Sequence, residues 1–206
     1  MDVTFIKAFL RQISEIMSKK RDWLIELDSV VGDGDLGLTM SDGFIAAYQA
    51  VADSSEIDIG RTLYIAGKAM SIAVPSTMGT LMASGLMQAG KVLKGKTKLE
   101  ISDVVALFQG YYDGVVHLGK ANIGDKTFLD GFYPGLITLQ KAVEEGDTFS
   151  SAAQKASKAA HEGYLATVGM LAIHGRAATR GEASRKLLDP GAAVADLIFQ
   201  AFAKIV

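Results

Sequence analysis

Apolar residues at Ile6, Phe9, Leu10, Ile13, Ile16 and Met17 recur three and four positions apart, the spacing that gives a helix one buried face. Asp2 or Thr4 stands where a cap is needed. After the charged Lys19-Lys20-Arg21-Asp22, the run Trp23 to Leu27 predicts a second helix that passes into a loop at Asp28. A third covers roughly Leu38 to Val51, and a fourth is capped by Asp58 and stops before Pro75, because the residue ahead of a proline resists the helical region. A fifth extends from about Thr77 to Leu93 and ends in Lys94-Gly95-Lys96. Ser102 precedes a sixth through Val105, Phe108, Tyr112 and Val116. The stretch from Thr127 to Val143 carries Pro134, whose missing N–H should kink it unless it starts late. Ser150 to Ala172 reads as one long Ala-rich helix, and Asp189-Pro190 opens the last with a cap and a proline at the first helical position.

The expectation is a bundle of about eight helices, with no alternating apolar and polar run between hairpin turns to compete with them. The expected class is all-α. Short connections favour antiparallel neighbours in an up-and-down bundle, and no repeat, low-complexity tract or linker divides residues 1–206, which therefore read as a single domain.

Composition complicates that picture. The 206 residues include 22 Gly but only 3 Pro, and Gly opposes helix, so the glycines should punctuate helices or mark close backbone approach. Gly110, Gly114 and Gly119 fall within or at the end of a helix, whereas Gly32, Gly34, Gly37, Gly79, Gly124, Gly175, Gly181 and Gly191 fall in or beside polar segments between helices. Cysteine is absent, which removes disulfides, Cys-based zinc and thiol chemistry and suits a reducing cytoplasm. Lys+Arg 21 against Asp+Glu 23 leaves a net charge of −2, so nucleic acid is not an expected partner. No signal peptide precedes the first helix, and the apolar stretch from Ala69 to Met87 is broken by Pro75, Gly79 and Gly85, so no membrane span is expected and the chain reads as cytoplasmic.

Candidate chemistry gathers in the polar segments. Asp28, Asp33 and Asp35 place three carboxylates within eight residues, among Gly32, Gly34 and Gly37, just ahead of a helix. Hard oxygen donors so close together suit magnesium, and the same pattern also suits plain acidic capping of a helix N-terminus. The segment is no EF-hand, since the later acceptors and the twelfth-position Glu are missing. Val74-Pro75-Ser76-Thr77-Met78-Gly79-Thr80-Leu81 is a hydroxyl-rich helix start, suited to phosphate or to simple capping. Gly124-Asp125-Lys126-Thr127, Gly175-Arg176-Ala177 and Asp189-Pro190-Gly191-Ala192 are further polar loops. An arginine in such a loop can neutralise phosphate with a fixed fork of donors, whereas Lys126 and Arg180, taken alone, read as solvated. His117, His161 and His174 share no spacing that suggests a metal site or a catalytic pair.

Taken together and in order, these segments resemble the nucleotide-binding L subunits of dihydroxyacetone kinases. The shared pattern is an Asp, four intervening residues and a Gly-flanked Asp-x-Asp, then a phosphate loop, then Gly-Asp-Lys-Thr, then Gly-Arg-Ala and Asp-Pro-Gly-Ala, and it spans nearly the whole chain. The resemblance implies a closed barrel of eight antiparallel helices with ADP or ATP at one end. Asp28, Asp33 and Asp35 would hold two Mg2+ ions, and Thr77 and Gly79 would lie in the phosphate loop. Gly124 would belong to the nucleotide site, Thr127 and Phe128 would lie beside the base with Leu81, Arg176 near the phosphates, and Asp189, Pro190 and Gly191 in a capping loop. It further implies transfer of a phosphoryl group to a ketose held on a separate K subunit, and a phosphotransferase-system subunit that recharges the nucleotide. Two features depart from the pattern: Leu36 stands where the family usually has His, and Pro75-Ser76-Thr77-Met78-Gly79 replaces a Gly- and Ser-rich loop. They raise the alternatives of a non-catalytic, nucleotide-sensing paralogue or an ATP-dependent subunit for another small sugar.

Overall fold

The structure is a computed structural model that describes residues 1–206. Nine α-helices follow one another: α1 (Val3–Lys19), α2 (Arg21–Val31), α3 (Leu36–Ala52), α4 (Ile59–Ala73), α5 (Thr77–Val92), α6 (Ile101–Gly119), α7 (Phe128–Glu144), α8 (Phe149–Ala166) and α9 (Pro190–Ile205). A 3₁₀ segment, Arg176–Lys186, lies between the last two. Extended pairing is limited to one bridge between Asp2 and Lys98, so the all-α expectation holds. No helix is long and apolar enough to cross a membrane.

Several boundaries differ from the sequence expectation, each for a local reason. α2 continues to Val31, which puts Asp28 on a helix rather than in a loop. Glu100, not Ser102, starts α6, in a reciprocal box with Asp103. α8 stops at Ala166 instead of reaching Ala172, because Gly169 turns into the left-handed region at φ 97° and Arg185 claims the backbone beyond it. Residues 176–186 lack apolar periodicity, and they coil as 3₁₀ helix broken at Gly181. Each of the nine stretches named from the sequence is thus a helix, against the eight or so expected in total, and this segment is the addition. Pro134 sits well inside α7, where it withholds the N–H that the Asp130 carbonyl would otherwise accept.

The helices gather into two compact units, interleaved along the chain. The first contains Met1–Ser18 and Thr39–Lys120. Its core draws Ile6, Phe9, Leu10, Ile13 and Met17 from α1 and Met40, Phe44, Met70, Leu86 and Phe108 from the later helices, all buried, with the Phe9 and Phe108 rings 5.8 Å apart. α5 packs between α4 and α6, and Ser84 of α5 donates to the Gly114 carbonyl of α6 at 2.8 Å. The second unit contains Lys19–Leu38 and Ala121–Lys204. Phe132 of α7 lies 5.1 Å from Phe199 of α9, Phe149 of α8 5.6 Å from Phe202, and Trp23 of α2 meets Tyr164 of α8 edge-on. α9 is buried from Ala192 through Phe199, as expected of a helix apolar on every side.

Candidate functional site

The last turn of α2 presents Asp28, and the chain then turns through Gly32-Asp33-Gly34-Asp35 into α3. Gly34 adopts φ 75°, a conformation that costs a side-chain-bearing residue free energy, and this aims its N–H at Asp28 Oδ2, 3.0 Å away. Leu36 N points at the same oxygen from 3.4 Å. Carboxylate oxygens of Asp28, Asp33 and Asp35 all lie within 4.8 Å of one another. Asp28 is half-buried, and that burial raises its carboxyl above the ordinary range; the two backbone donors pull the other way, and the charges of Asp33 and Asp35 push it further up. Arg176 Nη2 of the 3₁₀ segment stands 2.7 Å from Asp33 Oδ2.

Three converging hard donors of like charge are a poor arrangement by themselves and a good one for a divalent cation. Magnesium takes one or a few carboxylates and fills its remaining positions with water and phosphate oxygens, so the donor set fits the ion. The acidic-cap reading accounts for Asp28 at the Leu36 N–H of α3, but it explains less of the gathering of Asp33 and Asp35 around the same carboxylate.

A second group of expected residues meets where α7 and α9 begin. Thr127 caps α7 by accepting from Leu129 N at 3.2 Å, and Asp130 reaches back to Thr127 N at 2.7 Å. The other Asp130 oxygen accepts from Gly124 N, so the Gly124–Thr127 turn closes on one buried carboxylate. Asp189 caps α9, accepting from Ala192 N at 2.7 Å, while its own N–H is bonded to Thr167 Oγ1. A Cβ at Gly191 would lie 3.0 Å from Phe128 N, so the two helix starts are in close approach there. Pro190 is buried, and Phe128 is buried with its ring stacked on Phe132 at 5.1 Å.

Lys126 overturns its sequence reading. Rather than a solvated loop residue, it is 2% exposed, at φ 61°, and its ammonium donates to the Thr167 and Leu187 carbonyls. Burial lowers its pKa, opposed by the charges of Asp189 and Asp130. Asp189 is pushed up to about 7 by burial, against the Ala192 hydrogen bond and the Lys126 charge. A lysine between an Asp and a Thr in a Gly-containing turn carries no local mark of burial. Its conformation depends on Thr167 and Leu187, 41 and 61 residues away in sequence. Arg180 is exposed, as expected.

The expected phosphate loop belongs to the first unit. Ser76 accepts from Gly79 N at 3.0 Å and so caps α5, Thr77 is exposed, Gly79 is buried and Leu81 half-buried. The histidines remain apart from one another. His117 is exposed, His161 Nδ1 lies 2.9 Å from Asp196 Oδ2, and His174 Nε2 lies 2.8 Å from Asp125 Oδ2.

With this geometry in hand, the family follows from comparison: a model described as the DAK2 domain matches residues 30–204. The chain belongs to the DAK2 domain family. The match takes in every expected site residue except Asp28, which lies just before it, and it bears out the resemblance read from the motifs. Among DAK2 relatives, the chain is 33% identical over 196 residues to the PEP-dependent dihydroxyacetone kinase 2, ADP-binding subunit DhaL of Listeria innocua, covering 93% of this chain and 89% of that one. It is 31% identical to the PEP-dependent dihydroxyacetone kinase, ADP-binding subunit DhaL of Escherichia coli, covering 92% and 90%. Among solved structures, the dihydroxyacetone kinase of C. freundii in its native form superimposes with a TM-score of 0.74 at 23% identity, covering 98% of this chain and 34% of that one. The same kinase in complex with AMP-PNP and Mg2+ gives 0.68 at 21% identity. At that identity the likeness shows a common DAK2 fold.

Proposed function

We propose that this DAK2 chain is the adenine-nucleotide-binding subunit of a dihydroxyacetone kinase. The observation that carries the reading is the oxygen cluster of Asp28, Asp33 and Asp35 with Arg176 on its rim, in a chain that spans about nine-tenths of relatives named ADP-binding subunits. Residues 1–206 would act as one nucleotide-binding domain. The three aspartates would hold two Mg2+ ions, which when bound supply neutralisation of phosphate charge. Arg176 offers a planar fork of donors to the same phosphates. Thr127 and Phe128 would lie beside the base, with Gly124 in the nucleotide site and Asp189, Pro190 and Gly191 in a capping loop, and Thr77 and Gly79 would serve as a phosphate loop at the start of α5. Phosphoryl transfer depends mostly on positioning and charge stabilisation, so this chain needs no nucleophile of its own.

The ketose would be held by a separate K-type subunit, with activity only in its presence. A phosphotransferase-system subunit would recharge ADP kept as a coenzyme, in the cytoplasm. The names of the Listeria and Escherichia relatives, PEP-dependent and ADP-binding, favour this arrangement over an exchanging ATP.

A second reading has its own support. Leu36 is buried and contributes no polar side chain beside the aspartates, and at α5 the Ser76 hydroxyl and Gly79 N–H are engaged with each other. That pattern fits a nucleotide-sensing paralogue without transfer. Turnover separates the two: with a K-type subunit, dihydroxyacetone and a phosphodonor, the kinase reading expects a rate on the order of 1–100 per second. Nucleotide binding with no product would leave the sensing reading.

A further inference from the structure

The segment that carries Arg176 is closed on itself at one end and tied to the rest of its unit at the other. At the closed end, Gly169 N donates to the Arg185 carbonyl at 2.7 Å, Arg185 Nη1 returns to the Gly169 carbonyl at 2.7 Å, and Ala172 N donates to buried Ser184 Oγ. These bonds make residues 169–185 a compact loop with its own hydrogen bonds. Toward its tip the bonds are local, Thr179 Oγ1 donating to the Arg176 carbonyl at 2.7 Å, and Gly175 enters the 3₁₀ segment at φ 63° with open space where a Cβ would lie. Arg176 follows at once. The attachment beside it comes from His174 Nε2, 2.8 Å from Asp125 Oδ2, supported by Ile173 N to the Asp125 carbonyl at 3.4 Å.

Asp125 is well prepared to receive the histidine. The same Oδ2 accepts from Asn122 N at 2.7 Å, and this bond, followed by that of His174, holds the carboxyl below the usual range despite partial desolvation. Asp125 is also joined directly to Lys126 and lies two residues before Thr127, so its position is set by the buried ammonium and by the capping box of α7. His174 therefore stands two residues from Arg176 on one side and touches the Gly124–Thr127 turn on the other. Beside it, the loop tip is held by the long Ile173 bond, the exposed Arg176–Asp33 pair and the packing of the 3₁₀ segment on α2.

We propose that His174 is a positioning residue: its bond to Asp125 latches the loop tip onto the Gly124–Thr127 turn and keeps Arg176 beside Asp33. The proposal rests on the nucleotide-site reading of Arg176 for its functional consequence, but the latch itself does not. Because the pair is exposed, loss of the latch should change loop opening by about threefold, the scale of a surface ion pair, without unfolding the chain.

The test has two arms. In the first, the protein without ligand is digested with trypsin, and cleavage after Arg176 and Arg180 is followed by mass spectrometry. His174→Ala should cleave about threefold faster than the parent, His174→Gln, which keeps a donor at the same reach, should cleave like the parent, and all three should melt within a degree or two of one another. In the second, the release of fluorescent ADP in Mg2+ is timed; His174→Ala should release it about threefold faster and Arg176→Ala faster still. Equal cleavage of His174→Ala and parent overturns the latch, as does faster cleavage that His174→Gln fails to restore. If the parent binds no ADP while the cleavage pattern holds, the site reading has failed and the latch stands. If Arg176→Ala releases ADP faster but His174→Ala does not, the latch has no role at the site and the positioning proposal is wrong.

Discussion

A buried ammonium is stable only where oxygens replace its water, and Lys126 finds them in two backbone carbonyls and the nearby charges of Asp130 and Asp189. Replacing Lys126 with Met would leave both carbonyls unpaired and remove the cation facing Asp189. A loss of about 3 kcal/mol is expected, the scale of breaking a buried charged group's partnership, and urea unfolding would measure it. Asp189 gives a pH prediction. Its folded pKa of about 7 lies above the ordinary 3.8, so between those values the folded chain holds a proton that the unfolded chain has released. Its contribution to stability is present below about 4 and is lost as pH rises towards 7. Asp189→Asn keeps an oxygen for Ala192 N and cannot ionise; its stability relative to the parent should rise across that window, as thermal melts at a series of pH values would show. The three aspartates of the cluster were legible from spacing and glycine context, whereas Lys126 was not, because the partners that bury it come from α8 and from the approach to α9.

At the scale of elements, the sequence located all the long helices, and Asp58 and Asp189 cap α4 and α9 where the sequence places them. What it missed were the ends that depend on distant backbone. α2 runs on past Asp28, α8 stops six residues early, and the 3₁₀ segment has no periodic signal because its bonds run among its own backbone and to Gly169 and Ala172. The two populations of glycine are visible here too: Gly114 faces Ser84 across α5 and α6, while Gly34 shapes the turn between α2 and α3. Gly34→Ala should cost about 1 kcal/mol for the left-handed conformation alone. Its Cβ would also fall 2.5 Å from Ser29 Oγ, which must move, and the Gly34 N–H would shift away from Asp28. Nucleotide retention in Mg2+ should fall several-fold more than stability does, a difference that parallel melting and binding measurements would reveal. Equal, small effects on both would show that the turn does not shape the cluster.

For the whole molecule, a net charge of −2 spread over 206 residues contrasts with three carboxylates drawn within 4.8 Å of one another. That concentration is the reason for placing a cation there, and the DAK2 relatives named ADP-binding subunits are the reason for placing a nucleotide beside it. Cation and nucleotide should then depend on each other: ADP should bind tightly with Mg2+ and weakly with EDTA. Asp33→Asn removes one donor from an exposed position, so it should abolish the Mg2+-dependent part of binding while the melting temperature stays close to that of the parent. The most direct measurement is calorimetric titration of ADP into the protein with Mg2+ and with EDTA, for the parent and for Asp33→Asn. Tight binding by the parent in Mg2+ alone, lost in Asp33→Asn, is the predicted result; ADP binding that ignores both Mg2+ and Asp33, or no binding at all, would contradict it.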